Sequence, residues 1–206
     1  MFRYNNLINY SKKIRILEIW INYLEIITIC IYVDVQYNYS MRILGIDPGI
    51  AIVGYSVIDA VGDCYKLVAS GSIQTDKNKS EAGRLLEICE DMEEIINLYN
   101  PDTAGVEKLY FFKNQKTIIP VAQARGVIMM ILEKYSIKAV EYTPIVVKQT
   151  ITGYGRAEKS EVADAVEKMI DKNGRNWPKL DDTIDSIAIA VCHARNLESN
   201  VEQFVV

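Results

Sequence analysis

Met41-Arg42-Ile43-Leu44-Gly45-Ile46-Asp47-Pro48-Gly49 is the stretch from which the fold of this 206-residue chain can be predicted. It begins with a short apolar run, which is typical of a strand buried on both faces. Asp47 then lies at the carboxyl end of that strand, and Pro48-Gly49 predicts a tight turn. Residues 53–58 are again apolar and rich in β-branched side chains, so the two runs together predict a β-hairpin.

The position of Asp47 invites a functional interpretation. A carboxylate at the end of a buried strand is costly unless a positive charge meets it there. In proteins that charge is often a metal ion or a metal-bound phosphate. An Asx turn, in which Asp47 caps its own loop, is the alternative interpretation. The hairpin alone leaves both open.

Composition limits the class of protein. Half of the residues are apolar, which is enough for one full core, so we expect one domain. The formal charge of -4 gives no global basic field, which argues weakly against a nucleic-acid partner because clustered metal-binding acids can mask a local basic face. The cysteines are widely spaced without a CxxC pair, which suits a reduced cytoplasmic protein. The single histidine, His193, is expected to be a satisfied side chain, not a metal ligand.

Residues 1–40 differ from the remainder of the chain. Residues 14–37 are rich in Ile, Tyr, Leu and Trp, but Glu18, Glu25 and Asp34 recur too often for a membrane span. No small-residue cleavage site follows the apolar stretch, so a signal peptide is not predicted. We interpret residues 1–40 as an extension of unknown role, upstream of a natural start at Met41. An interfacial or partner-binding helix is the alternative.

From residue 41 to 198 the hydrophobic pattern predicts a single α/β domain, with residues 199–206 as a tail. Beyond the hairpin, strands are predicted over residues 65–75, 103–107 and 137–142. Helices are predicted over residues 81–99, capped by Ser80, and over 117–135, 144–150, 157–171 and 182–197. Three meandering strands followed by alternating strands and helices predict a mixed five-stranded sheet flanked by helices.

Three further acids lie, like Asp47, at the end of a predicted strand or at the start of a predicted helix. Glu107 ends the predicted fourth strand, and Asp182 and Asp185 share one face of the last helix because they are spaced i,i+3. The helix dipole alone would explain acids at a helix start, but not acids at strand ends. Four carboxylates brought together repel one another unless divalent cations bridge them. Oxygen ligands without His or Cys predict Mg²⁺ or Mn²⁺ and suit two-metal phosphodiester hydrolysis.

Six sequence blocks resemble the RuvC family of crossover-junction endonucleases, which resolve Holliday junctions. The blocks follow one another in the family's order, from Met41 to about residue 194, and are Gly45-Ile46-Asp47-Pro48-Gly49, Val106-Glu107, Gln123-Ala124-Arg125-Gly126, Val147-Lys148-Gln149-Thr150, Ala157-Glu158-Lys159-Ser160 and Asp181-Asp182-Thr183-Ile184-Asp185-Ser186. The resemblance implies a ribonuclease H-like fold and two Mg²⁺ ions per active site, with Mn²⁺ as an alternative. It assigns the metal-binding, catalytic acids to Asp47, Glu107, Asp182 and Asp185.

The resemblance also implies residues that contact DNA. The aromatic side chain that wedges at the junction centre falls on Tyr110, where the family usually has phenylalanine, and Phe111 can share that role. Tyrosine presents a similar π-face, so stacking on a base should survive the exchange. Lys148 and Lys159 match family positions that contact the scissile-strand phosphates, and a lysine suits phosphate as a point charge.

Weaker candidates complete the predicted DNA-binding surface. Lys113 and Arg156 belong to it, as does Lys116, whereas Arg125 can equally be structural. Gly153-Tyr154-Gly155 resembles a phosphate-cradling turn, although two glycines are a weak signal.

The predicted function is Holliday junction resolution in recombination and repair. The resemblance implies a homodimer that nicks two strands of like polarity symmetrically and leaves 5′-phosphate and 3′-hydroxyl ends. It also implies a RuvA-RuvB branch-migration complex as partner. One alternative is a fragment of an actin-like or sugar-kinase ATPase, which would need a second glycine-rich loop. The other is a junction-binding protein that has lost catalysis.

Overall fold

The structure, a computed structural model, describes residues 40–109 and 115–202, and the side chains within 40–109 and 118–197. Residues 1–39, on which the predicted extension falls, lie outside the described residues. The elements of the described part are β1 (Met41–Asp47), β2 (Ile52–Val61), β3 (Cys64–Gln74), α1 (Glu81–Tyr99), β4 (Thr103–Glu107), α2 (Gln115–Lys134), β5 (Lys138–Tyr142), α3 (Pro144–Thr152), α4 (Lys159–Met169), β6 (Ile170–Asp171) and α5 (Asp181–Glu202).

The strands form one mixed sheet in the order β5-β4-β1-β2-β3-β6. The hairpin partners β1 and β2 are antiparallel, as are β2 and β3, whereas β1, β4 and β5 run parallel. In β1, residues 43–46 are all buried because helices cover both faces of the sheet. The predicted α/β fold with a doubly covered central strand is therefore confirmed.

Two cores lie on opposite faces of this sheet. On one face, Ile43 packs with apolar residues of α3, α4 and α5. On the other, Leu44 and Ile46 pack with residues of α1 and α2. Since successive strand residues point to opposite faces, alternate positions of β1 serve the two cores in turn.

The excess of acidic over basic residues is larger in helix α1 than in the chain as a whole. Its 19 residues contain six acids and a single basic residue, Arg84.

Within the described part of the chain, no helix is both long and apolar enough to cross a bilayer.

The sheet contains one strand more than the sequence pattern predicts. The strand β6 pairs in parallel with β3 and covers two residues that the prediction assigned to the end of a helix. Two residues are too few to display a period of two, so pattern reasoning extends the preceding helix over them. The beginning of α4 also differs, because a capping box between Glu158 and Glu161 fixes its first turn at Lys159. The last helix continues to Glu202, beyond the predicted end at 197.

His193 lies in the core, as a satisfied side chain. It is fully buried, with Nε2 2.9 Å from the Thr103 hydroxyl and Nδ1 2.7 Å from the Tyr142 hydroxyl. Burial lowers the pKa of His193 to about 4, and the positive charge of Lys138 acts in the same direction. The imidazole is thus neutral at physiological pH and ties α5 to β4 and β5.

We predict that protonation of His193 destabilises the fold in mild acid. The folded-state pKa lies below the ordinary value, so the unfolded chain takes up a proton first as the pH falls. Stability from this residue is therefore present above about pH 6.5 and is lost towards pH 4, to a limit of about 3 kcal/mol. Because His193 is the only histidine, its ring protons can be followed individually by NMR. Titration near pH 4 is expected, and titration near pH 6.5 in the folded protein would contradict the prediction.

Candidate active site

The parallel pairing of β1 and β4 brings two carboxylates to one edge of the sheet. Ile46 pairs with Val106, so the next residues, Asp47 and Glu107, leave the two strands side by side. Both are half-buried, and their carboxyl groups interact through a hydrogen bond. This pairing follows directly from strand register and needs no loop to position it.

Close contact between α5 and the sheet brings the other two acids to the same edge. A Cβ on Gly54 would lie 1.9 Å from the backbone oxygen of Asp182, and a Cβ on Gly45 would lie 2.1 Å from that of Ser186. Gly54 is also the pairing partner of Asp47 in the hairpin. The first turns of α5 therefore rest on bare backbone next to Asp47, and this places Asp182 and Asp185 there.

The charges of Asp182 and Asp185 act on Asp47 and Glu107. Burial raises the pKa of Asp47, and the neighbouring carboxylates of Glu107, Asp185 and Asp182 raise it further. Burial also raises the pKa of Glu107, against the opposing effects of its hydrogen bond to Asp47 and of the Lys159 charge. A cluster of four such carboxylates cannot remain fully ionised at neutral pH without added positive charge.

The donor set fits a hard divalent cation, although a tight coordination shell is not preformed. Within residues 40–109 and 118–197, no three carboxylate, imidazole or thiol groups already converge on one ion position. Asp47 and Glu107 are instead held to each other, and Asp185 is held by Lys159. Four half-buried oxygen donors without nitrogen or sulfur match the preference of Mg²⁺ and Mn²⁺. A cation would relieve the repulsion that raises the pKa values of Asp47 and Glu107.

Two predicted phosphate-binding lysines lie beside these acids. Lys159 donates a hydrogen bond from Nζ to Oδ2 of Asp185 at 2.8 Å, while 69% of its side chain remains exposed. Lys148 and Lys159 line the same cavity of about 80 Å³ as Glu107 and Asp185. Lys148 also donates to the backbone oxygen of Ala157, so it braces the segment that leads into α4.

The remaining candidates divide into three groups. Arg125 forms an ion pair with Glu141, which agrees with its structural interpretation. Arg156 is exposed. The others fall outside the described residues or side chains, and are Tyr110, Phe111, Lys113 and Lys116.

The phosphate-cradle hypothesis for Gly153-Tyr154-Gly155 is wrong. The backbone N–H of Gly153 donates to the Gln149 backbone oxygen at 2.9 Å, and that of Gly155 donates to Gln149 Oε1 at 2.9 Å. The N–H of Tyr154 donates to Thr152 Oγ1 at 3.1 Å. All three donors that would hold a phosphate are therefore already used within the chain.

Sequence reasoning missed the role of Gly45 and Gly54 in positioning the acids. A glycine inside a strand marks a possible close approach of another backbone, so a signal was present. Which element makes that approach depends on tertiary structure.

Comparison with known proteins agrees with this geometry. Residues 43–193 match the sequence model of the family described as crossover junction endodeoxyribonuclease RuvC. The chain is 48% identical over 160 residues to the RuvC protein of Halothermothrix orenii, covering 78% of this chain and 96% of that protein. It is 41% identical over 164 residues to the RuvC protein of Caldicellulosiruptor saccharolyticus, covering 79% and 98%.

Solved structures show the same fold. The structure of Thermus thermophilus RuvC in complex with a Holliday junction substrate matches with a TM-score of 0.72 and 26% identity, covering 78% of this chain and 96% of that one. The yeast mitochondrial Holliday junction resolvase Ydc2 matches with a TM-score of 0.60, covering 84% and 89%. At 13% identity, the second match supports the fold alone.

We predict that Gly54→Ala disturbs both stability and the carboxylate group. The added methyl would overlap the Asp182 backbone oxygen, so α5 must move, at a cost of about 1–3 kcal/mol in unfolding free energy. Urea denaturation measures this loss. Gly83→Ala is the matched control, because its Cβ would come no nearer than 3.3 Å to the Ser80 hydroxyl. Equal stability of the two variants would show that α5 does not rest on Gly54.

Proposed function

The chain belongs to the RuvC family of crossover junction endodeoxyribonucleases, and we propose that it cuts Holliday junctions at the edge of the sheet where its four carboxylates meet. The observation that carries this proposal is the placement of Asp182 and Asp185 next to Asp47 and Glu107, whose pKa values they raise. Acids that are held together against their mutual repulsion are stabilised by a bound cation, and such groups are common at functional sites. Family membership supplies the reaction, which is endonucleolytic cleavage of DNA.

We propose that these acids hold two Mg²⁺ ions, with Mn²⁺ able to replace them. Such ions, when bound, activate a water molecule and stabilise the charge on the departing 3′ oxygen. Asp47, whose pKa all three other carboxylates raise, would be the central member of the residues that hold the ions. Glu107, Asp182 and Asp185 complete the ligand set. The products would carry 5′-phosphate and 3′-hydroxyl ends.

Lys148 and Lys159 would position the DNA by contacts to its phosphates. Lys159 neutralises Asp185 in the free protein, and its exposed side chain can turn to a phosphate once cations neutralise the carboxylate. Lys148 is held by the Ala157 backbone oxygen and presents a fixed charge at the cavity wall. Arg156 is exposed in the connection between α3 and α4 and would contact the DNA backbone further from the four acids. Tyr110, Phe111 and Lys113 stay assigned to the junction-centre loop by the family resemblance alone.

We further propose that the protein acts as a homodimer through α2. The buried residues Ala124, Ile128 and Ile131 form one stripe of this helix. A second stripe is exposed and contains Ile119 and Met130, which are 67% and 56% exposed, with Gly126 between them. A Cβ on Gly126 would meet nothing within 4 Å, so a second helix backbone has room to approach.

A two-fold dimer suits a two-fold substrate. Two active sites related by symmetry can nick two strands of like polarity at matching positions. A RuvA-RuvB branch-migration complex is the proposed partner, by analogy with the family. The ATPase hypothesis has lost its basis, since the family match spans residues 43–193. A catalytically inactive junction-binding protein is less consistent with four retained acids, and comparison of the wild type with Asp47→Asn tests that alternative.

We predict that Asp47→Asn abolishes junction cleavage without unfolding the protein. The exchange removes a carboxyl group whose ionisation burial and the neighbouring carboxylates oppose, so the metal-free variant should be at least as stable as the wild type. Cleavage of a synthetic mobile four-way junction, with and without Mg²⁺, measures activity. Paired symmetric nicks are expected from the wild type with Mg²⁺ only. Persistent cleavage by folded Asp47→Asn would refute the metal-ligand assignment.

Glu90→Gln provides the control for that variant. It makes the same carboxylate-to-amide exchange at an exposed position of α1 and should cleave normally. Mg²⁺ should raise the thermal midpoint of the wild type and of Glu90→Gln, because ligands stabilise the state that binds them, but should have little effect on Asp47→Asn. Equal digestion of linear duplex and junction by the wild type would indicate a general nuclease.

We predict that Met130→Glu converts the dimer into a folded monomer. A buried, unpaired carboxylate at a helix–helix interface is strongly unfavourable, whereas the same side chain is harmless in the monomer. Light scattering coupled to gel filtration gives the mass. Leu98→Glu is the control, since Leu98 is 65% exposed on α1. Dimers of both variants would exclude the α2 stripe as the interface.

A further inference from the structure

Within the connection between α3 and α4, residues 153–158, the first five residues form a hydrogen-bonded turn that we call the tyrosine turn. The side chain of Gln149 holds it from below, with Nε2 donating to the Gly153 oxygen at 2.7 Å and Oε1 accepting from the Gly155 N–H at 2.9 Å. The N–H of Ala157 donates to the Tyr154 oxygen at 3.1 Å. Little backbone freedom would therefore be lost when this turn meets a ligand.

The aromatic ring at the tip of this turn is displayed to solvent. Tyr154 is 60% exposed although its backbone is fixed on both sides. Ile145 is 55% exposed and supports the turn, since a Cβ on Gly155 would come within 3.0 Å of its Cγ2. An exposed aromatic ring carried on a well-held backbone is a typical contact residue in a binding surface.

Charge around the turn favours a polyanion as the partner. Arg156 is exposed within it, and Lys148 and Lys159 line the neighbouring cavity. The one acid of this connection, Glu158, is engaged in the capping box of α4. Ala157 joins the turn to the active site directly, because its backbone oxygen accepts the hydrogen bond from Lys148 Nζ.

We propose that the Tyr154 ring stacks on a nucleobase next to the scissile phosphate and so positions the DNA strand for cleavage. Nucleic acid combines a phosphate backbone with flat π-faces, and this combination matches an exposed aromatic ring with a cation in the same turn and two more in the neighbouring cavity. The inference rests on the proposed function, because the base belongs to the DNA that the active site cuts. Stacking uses the ring and not the hydroxyl group, so phenylalanine should replace tyrosine.

The test measures junction binding by the full chain, with Asp47→Asn added to every protein so that the DNA stays intact. Tyr154→Ala should bind about tenfold more weakly, and Tyr154→Phe should bind within about twofold of the parent protein. The salt dependence of binding should not change in Tyr154→Ala, whereas Arg156→Ala should reduce its slope by about one. A 2-aminopurine base beside the cut site should be quenched by the parent protein and by Tyr154→Phe, but not by Tyr154→Ala. Thermal midpoints of all variants should agree.

The outcomes separate this inference from the proposed function. If Tyr154→Ala binds and quenches like the parent protein, while the enzyme with Asp47 intact cleaves junctions, the inference is overturned and the proposed function stands. Unchanged DNA binding with altered oligomeric mass would identify the turn as a protein interface and would also overturn it. If the enzyme with Asp47 intact fails to cleave junctions, the proposed function falls, and this inference falls with it.

Discussion

Repulsion among four carboxylates is the constraint on which the rest of the structure depends. Asp47 and Glu107 are fixed by strand register, and Asp182 and Asp185 are fixed by a helix that rests on glycine backbone. Both arrangements fix the backbone that carries the acids, so the four residues stay at one edge of the sheet although burial and like charge raise the pKa of Asp47. The two apolar cores offset this cost, since α5 contributes a continuous buried stretch, residues 186–194, to one of them. Stability elsewhere in the molecule thus maintains a destabilised site.

Much of the fold could be predicted from the sequence because its central elements have clear periods. The apolar run of β1 is buried on both faces as expected, and the alternation of strands and helices after residue 75 is correct in order. The errors fall where local pattern carries little information. The strand β6 exists only because Ile170 meets Tyr65 at the sheet edge, and α4 begins at Lys159 because two glutamates satisfy its first N–H groups.

The candidate site was predictable in its residues and less so in their contacts. Strand ends and an i,i+3 spacing identify the four acids, and the family resemblance adds the two lysines. The hydrogen-bond partner of each side chain could not be predicted in the same way, because these hydrogen bonds join residues far apart in the chain. Lys159 meets Asp185 across 26 positions and Arg125 meets Glu141 across 16. The glycine pair in residues 153–155 shows the same limit: its pattern suits a phosphate, but Gln149 and Thr152 already use its donors.

The acid-rich helix α1 changes the meaning of the overall negative charge. It packs on the sheet face opposite to α3, α4 and α5, so its excess of acids lies on the other side of the sheet from Lys148 of α3 and Lys159 of α4. A polyanion that approaches at random is repelled from the α1 side and turned towards the other, as happens in any collision governed by long-range fields. The uneven placement of charge, and not the formal total of -4, would thus orient DNA during encounter, and its influence fades as rising ionic strength screens the field.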